Sequence, residues 1–221
     1  MYELLLRPAP LFTDRGEAGR ALAAELERER GPELVVIGLA RGGVEVAAEV
    51  ARVLDVPLDV VAVRKVGHPL QPEYGIGAVT PGDGVYVRGP NGLTDEEVAA
   101  AVEETKAKAT VLDERLHGEH GPLDLAGKTV LVVDDGLATG ATMIAALRWA
   151  KAATAARIVA AVPVGAEDSL ELVRAEADDI VCLYPLEAFL AVGVWYRSFD
   201  QVDDARVLNL LDENRRETAA R

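Results

Sequence analysis

The chain has 221 residues, 50% of them hydrophobic and 27% charged, which is ordinary for a globular protein with one domain-sized core. Its 37 acidic against 23 basic residues give a formal charge of -14, and with no basic run to override that balance a nucleic-acid partner is not expected. The longest apolar runs are strand-sized and broken by charge, and the opening MYELLLRPAP lacks the basic start and long apolar stretch of a signal peptide, so neither a membrane partner nor export is expected and the inferred location is cytoplasmic.

Asp14 and Glu17 form a D-x-x-E capping pattern, which predicts a helix from about residue 14 to Arg30, ended by Gly31-Pro32. The run ELVVIGL predicts a strand, ARGG a turn, VEVAAEVARVL a helix, and LDVVAVR, introduced by Pro57, a second strand. Together they make a βαβ unit. Between Lys65 and Arg88 glycine and proline crowd the chain, which predicts a long loop followed by a hairpin around PGDG. Thr94 and Glu97 form a capping box for a helix whose inward positions Val98, Val102, Thr105, Ala109, Leu112 and Leu116 recur every three or four residues. His117 and His120 follow with a metal-like spacing, but the glycines around them predict an exposed loop and no metal site.

Next come the strand TVLVV, a glycine-rich turn, the helix TMIAALRWAKAA, the strand RIVAAVPV, the helix DSLELVRAEA and the strand DIVCLY. Cys182, the single cysteine, lies in that last run and reads as a buried thiol. From Pro185 the chain is aromatic-rich, which suggests a cover over the sheet's edge, and a closing helix is expected around Asp204 to Arg215. Strands alternating with helices predict an α/β fold with a parallel sheet.

Residues 130 to 142 read VLVVDDGLATGAT, a strand running into two adjacent carboxylates at the sheet edge where ligands collect. Buried together, Asp134 and Asp135 repel unless hydroxyl donors or a cation offset the repulsion, and a sugar diol supplies two such donors. The turn Gly136, Leu137, Ala138, Thr139, Gly140, Ala141 and Thr142 adds backbone N–H groups, two hydroxyls and a helix N-terminus, all suited to an anion. The P-loop lysine is missing and GLATG departs from G-x-G-x-x-G, so neither nucleotide motif applies. A diol beside a monophosphate describes a ribose 5-phosphate.

The stretch VVDDGLATGAT resembles the phosphoribosyl-pyrophosphate (PRPP) signature of type I phosphoribosyltransferases. Ala40-Arg41-Gly42-Gly43 follows the first core strand, where that family binds pyrophosphate with loop amides. Arg64-Lys65 resembles the basic pair that opens the family's flexible catalytic loop, and residues 66 to 90 match that loop and its hairpin. The resemblance covers most of residues 34 to 183 and implies a Rossmann-like parallel sheet flanked by helices, with a flexible loop and hairpin and a small C-terminal hood. It fits a single domain over residues 1–221, with its core at about 12–183 and its hood at about 184–221 plus N-terminal residues.

The implied reaction is attack of a nitrogenous base on C1 of PRPP, with magnesium pyrophosphate leaving through an oxocarbenium-like transition state stabilised mainly by electrostatics. The same resemblance has Asp134 and Asp135 hold the ribose hydroxyls and Gly136 to Thr142 the 5-phosphate. It has Arg41, with Ala40, Gly42 and Gly43, hold the pyrophosphate beside Arg64 and Lys65. The implied cofactor is Mg²⁺, held mainly through the ligand, and a homodimer is expected. Enzymes for 6-oxopurines usually carry an aspartate at the position of Ala138 and a lysine near Pro163 or Val164, and both are absent here. Adenine-type enzymes place a glutamate in an E-Y-G string, which Glu73-Tyr74-Gly75 reproduces, so Glu73 becomes the candidate for handling the base's proton. The hood stretch with Phe189, Gly193, Val194, Trp195 and Tyr196 is more similar to the oxopurine pattern, so a purine-like acceptor is expected without a named base. For Trp195 and Phe199, core packing and base stacking both remain open. The alternative is a non-catalytic PRPP-sensing regulatory protein of the same fold, against which stand Arg64, Lys65 and Glu73 and the lack of a basic face.

Overall fold

The computed structural model describes residues 9–89 and 92–220, so the part of the N-terminal reading that falls on residues 1–8 lies outside the described residues. The first half of the chain forms α1 (Arg15–Leu26), β1 (Leu34–Ala40), α2 (Gly42–Leu54), β2 (Leu58–Ala62), β3 (Arg64–His68), β4 (Gln71–Val79) and β5 (Val85–Val87). The second half forms α3 (Asp95–His117), β6 (Thr129–Val133), α4 (Ala141–Ala152), β7 (Arg157–Ala166), α5 (Glu167–Arg174), β8 (Asp179–Leu186) and α6 (Asp204–Ala219). Five strands make a parallel sheet in the order β2-β1-β6-β7-β8. The chain therefore winds outward one way through β1 and β2 and the other way through β6, β7 and β8. Between β1 and β6 lies the crevice where such sheets bind ligands at the carboxyl ends of their strands.

A parallel sheet is covered on both faces, which is why its strands are nearly continuous in apolar residues. Val36, Val60, Leu131 and Val159 pack with α1, α2 and α6, while Val35, Ile37, Val61, Val132 and Ala160 pack with α4 and α5. Leu211 of α6 and Leu147 of α4 are fully buried on these opposite faces, and truncating either to alanine costs on the order of 2–5 kcal/mol. The helix starts follow the sequence. Asp14 accepts from Glu17 N at 2.8 Å, and Thr94 and Glu97 close a reciprocal capping box at α3. The first helix is shorter than its pattern, with a 3₁₀ turn over Glu27–Glu29.

Two sequence expectations change. The run read as one strand through Arg64 divides, β2 staying in the parallel sheet and β3 entering a second, antiparallel sheet β3-β4-β5. The loop read after Lys65 is thus itself paired, Arg64 with Val79 and Lys65 with Ala78, with register shifts on either side of Gly67. Glycine and proline mask the alternation there, yet Val66, Ile76 and Val79 form a buried cluster with Val102 of α3. The hairpin around PGDG is where it was expected, between β4 and β5.

His117 is the other change. It is the last residue of α3 and only 4% exposed, with Nε2 3.2 Å from Asp59 Oδ1 and Nδ1 3.0 Å from Asp113 Oδ2. Burial alone lowers an imidazole's pKa, but hydrogen bonding and charge from Asp113 and Asp59 outweigh it and raise the value to about 10. The glycines that suggested an exposed loop begin one residue later, at Gly118.

Candidate active site

The register pairs Gly38 with Val133, so Ala40-Arg41 and Asp134-Asp135 leave the sheet side by side at its carboxyl edge. The glycines of ARGG allow this closeness. A Cβ on Gly43 would stand 2.7 Å from Val133 O and 2.9 Å from Asp134 Cα, and one on Gly42 would run into the Asp135 carboxylate. The start of α2 is thus pressed against the end of β6, with no room for a side chain between them.

The two carboxylates are internally braced. Asp135 N donates to Asp134 Oδ1 at 2.9 Å, and Arg15 Nε donates to Asp135 Oδ2 at 2.8 Å. Tyr196 Oη donates to the Asp135 carbonyl at 2.6 Å. Burial, reinforced by the Asp135 charge, holds the Asp134 carboxyl well above the usual carboxylate range. Burial raises Asp135 as well, against the opposing pull of Arg15. A pair in this condition favours ligands that bring hydroxyl donors or positive charge.

The turn after the carboxylates is fixed to the neighbouring strand. Leu137 N donates to Val164 O and Ala166 N to Leu137 O, both at 2.9 Å, while Ser169 Oγ donates to Ala138 O at 2.8 Å. Gly140 has φ of +75°, a left-handed conformation that a side chain would strain. It turns the chain into the 12-residue α4, whose first α-helical bond runs from Ile144 N to Gly140 O. The N–H groups of Ala141, Thr142 and Met143 are therefore left outside the helical ladder, as an anion site requires.

Basic residues lie on the opposite side of the crevice. Arg41, Arg64, Lys65 and Gln201 line a cavity of about 530 Å³. Among the described residues Arg64 Nε is buried there without a hydrogen-bond partner, and Arg41 Nε is in an ion pair with Asp204 Oδ1 at 2.7 Å. Lys65 also borders a second cavity, of about 430 Å³, together with Glu73, Tyr74, Arg88, Thr139 and Ala141. The hairpin β3-β4 thus brings Glu73 to the same space as Thr139 and Ala141 of the anion-type turn. In the C-terminal segment Phe189 and Trp195 lie with ring centroids 6.3 Å apart. Trp195 is 7% exposed and packs with Phe12, Val164 and Tyr196, and Leu11 N and Phe12 N donate to its carbonyl. Its bulk serves the core beneath this segment. Phe189, Val192 and Val194 are half-buried around it, and Val192 lies where any side chain at position 136 would go.

The donor set also bears on a metal. Asp134 and Asp135 supply hard oxygen ligands of the kind Mg²⁺ takes. Among the described residues no three or more His, Cys, Asp or Glu side chains gather to enclose an ion. The residues present fit an ion shared with ligand oxygens.

Arg15 and Arg88 were not singled out in the sequence. Arg15 sat inside a capping pattern, but a cation at the first position of a helix opposes the helix dipole, and that is a readable signal. Arg88, whose Nη2 is 3.5 Å from Thr139 O, carried no local signal.

Comparison with known proteins agrees with this geometry. Residues 13–193 match the phosphoribosyl transferase domain family. "Putative phosphoribosyl transferase Rv0571c" of Mycobacterium tuberculosis is 42% identical over 214 residues, covering 95% of this chain and 48% of that protein. The chain therefore spans about half the length of the curated relatives it matches. The crystal structure of TT1426 from Thermus thermophilus is 39% identical with a TM-score of 0.78, covering 91% of this chain and 98% of that one. A family match over most of the chain, and a relative this similar over nearly all of it, establish the identity: the chain belongs to the phosphoribosyl transferase family.

Proposed function

We propose that the protein transfers the 5-phosphoribosyl group of PRPP to a nitrogenous, purine-like base and releases pyrophosphate, as a cytoplasmic enzyme of nucleotide metabolism. One observation carries the reading. The reversal of the sheet between β1 and β6 gathers a carboxylate pair, an anion-type turn and a buried, unpartnered guanidinium nitrogen around one crevice.

In this reading the ribose hydroxyls donate to Asp134 and Asp135, and the 5-phosphate lies on the N–H groups and hydroxyls of residues 136–142. The pyrophosphate lies against the Ala40–Gly43 turn, Arg41, Arg64 and Lys65. Mg²⁺ would be held beside Asp134 and Asp135 mainly through ligand oxygens, and would supply charge neutralisation of the leaving group. The base nitrogen attacks C1 as the C1–O bond to pyrophosphate breaks, and the cations of the crevice stabilise the charge that develops on the departing oxygen. Glu73 takes the proton that the base nitrogen loses. Phe189, Val194 and the edge of Trp195 form the wall against which the base rests, and residues from about 184 onward act as a hood.

The test is mass-spectrometric screening of heterocycles with PRPP and Mg²⁺ for pyrophosphate and a new nucleotide. A base consumed in step with pyrophosphate release is the expected result. No turnover with any heterocycle, together with no PRPP binding by calorimetry, overturns the reading.

A further inference from the structure

We infer that Arg15 is a positioning residue for the ribose-binding carboxylates, locking Asp135 so that the pair offers one free oxygen per acid to one diol. The inference rests on the proposed PRPP site and concerns how that site is held. Arg15 is 7% exposed, a desolvated guanidinium at the first turn of α1, where the helix dipole disfavours a cation. Its Nε donates to Asp135 Oδ2 at 2.8 Å and its Nη1 to the Asp200 carbonyl at 2.8 Å. Its guanidinium carbon lies 3.8 Å from the centre of the Phe199 ring, and Glu45 Oε2 is 3.7 Å from Nη1. Helix α1 and the C-terminal segment thus meet on one side chain, and that side chain ends on the carboxylate.

The acceptors give the consequence. Asp134 Oδ1 already accepts from the Asp135 amide and Asp135 Oδ2 from Arg15. Among the described residues the second oxygen of each acid accepts no hydrogen bond, so each acid keeps one wholly open oxygen, which suits the two hydroxyls of a vicinal diol. Tyr196 holds the Asp135 backbone from the other side through its 2.6 Å hydrogen bond, so the main chain and the carboxylate are each tethered. Phe199, whose role the sequence left open, serves here as the surface beneath the guanidinium.

The experiment compares the parent with Arg15→Met, Arg15→Lys, Tyr196→Phe and, as a control, Arg20→Ala. Arg20 lies on the same helix and pairs with Glu49 at 3.5 Å, away from Asp135. Calorimetry in Mg²⁺ measures dissociation constants for PRPP and, separately, for inorganic pyrophosphate. Loss of a charge-assisted hydrogen bond corresponds to roughly ten- to hundredfold weaker binding. Arg15→Met is expected to lose about that much for PRPP while keeping its pyrophosphate affinity, because pyrophosphate does not touch Asp135. Arg15→Lys recovers part of the loss, Tyr196→Phe shows a smaller loss of the same selectivity, and Arg20→Ala matches the parent. Equal losses for both ligands, or folded Arg15 variants with parental PRPP affinity, overturn the inference and leave the PRPP site standing. If Arg15→Met does not fold, the selectivity of Arg15→Lys and Tyr196→Phe decides between the same two results. A parent that binds pyrophosphate but not PRPP overturns the ribose site itself, and the inference with it.

Discussion

Gly43→Ala is a sensitive probe of the crevice, because two opposed effects of known size meet there. Alanine in place of glycine favours a helix by about 1 kcal/mol. The added methyl, however, stands 2.7 Å from Val133 O, 2.9 Å from Asp134 Cα and 2.9 Å from Asp134 Oδ1. Carbon contacts are optimal at about 3.5–4.0 Å, so α2 and the end of β6 must part by roughly 0.5–1 Å. Two of the three obstructing atoms are backbone and cannot rotate aside, which places the variant in the range of about 1–3 kcal/mol for overpacking. The net change is a loss of about 0–2 kcal/mol. At about 2–4 °C per kcal/mol for a chain of this size, Tm moves only a few degrees. The site is affected more, since a displacement approaching 1 Å in a positioned group costs on the order of 100-fold in rate. Thermal melts and steady-state turnover measure both, with Gly31→Ala as the control because its Cβ would meet nothing nearer than 4.0 Å. A Gly43→Ala protein with a raised Tm and parental turnover would refute the close approach and reduce ARGG to an ordinary turn.

Four further outcomes are expected. Asp134→Asn and Asp135→Asn each weaken PRPP binding by about 1.5–3 kcal/mol without unfolding the chain, and binding isotherms indistinguishable from the parent's would remove them from the ribose site. Glu73→Gln lowers the single-turnover rate by about 10²–10⁴-fold and leaves PRPP affinity intact, whereas an unchanged chemical step would leave the base's proton to another group. In β4 the first five residues are exposed and the last four buried, so amide exchange should be fast over 71–75 and slow over 76–79, with the outer part gaining protection on addition of PRPP and Mg²⁺. Strong protection of 71–75 in the free protein argues against a closing element. His117 has a folded pKa of about 10, above its ordinary 6.5, so its stabilising contribution is complete below pH 6.5 and is lost as pH rises through 10. Denaturant unfolding from pH 6 to 10 should show that decline in the parent and a flatter profile in His117→Gln.

What the sequence made legible was local or periodic. The parallel strands, the N-cap at Asp14, the capping box at Thr94 and the carboxylate turn at 134–142 each advertise themselves within a few residues, and the structure forms them there. The β3-β4 ladder was hidden, because Gly67, Pro69, Pro72, Gly75 and Gly77 interrupt the alternation that marks a strand. Pairing with a neighbour and burial against Val102 supply what local preference does not. His117 was misread for a related reason. Its burial depends on Asp59, far earlier in the chain, and no local pattern records that contact. Arg15 and Asp135, 120 residues apart, illustrate the same limit at the centre of the site.

For an acidic chain to hold a polyanion, as the proposed function requires, it must present cations whose charge is not already spent, and those of the crevice differ in that respect. Arg15 has Nε and Nη1 engaged by Asp135 and the Asp200 carbonyl, so its fork is turned to shaping Asp135. Arg41 is shared. Its partner Asp204, also held by Arg115 Nη1 at 2.8 Å, stays below the usual carboxylate range because the two arginines outweigh the effect of burial. At 43% exposure, the Arg41 pair belongs to the class worth only about 0–1 kcal/mol, so a phosphate can replace or join Asp204 at small cost. Arg64 is the opposite case, with a buried Nε that has already lost its water and has no acceptor in return. Leaving such a donor unmet costs about 1–3 kcal/mol, which in the proposed site a pyrophosphate oxygen would recover once the side chain turns to meet it. The crevice thus keeps one cation oriented by a weak internal partner and another desolvated in advance, and both arrangements favour a dense anion at this edge despite the chain's net charge of -14.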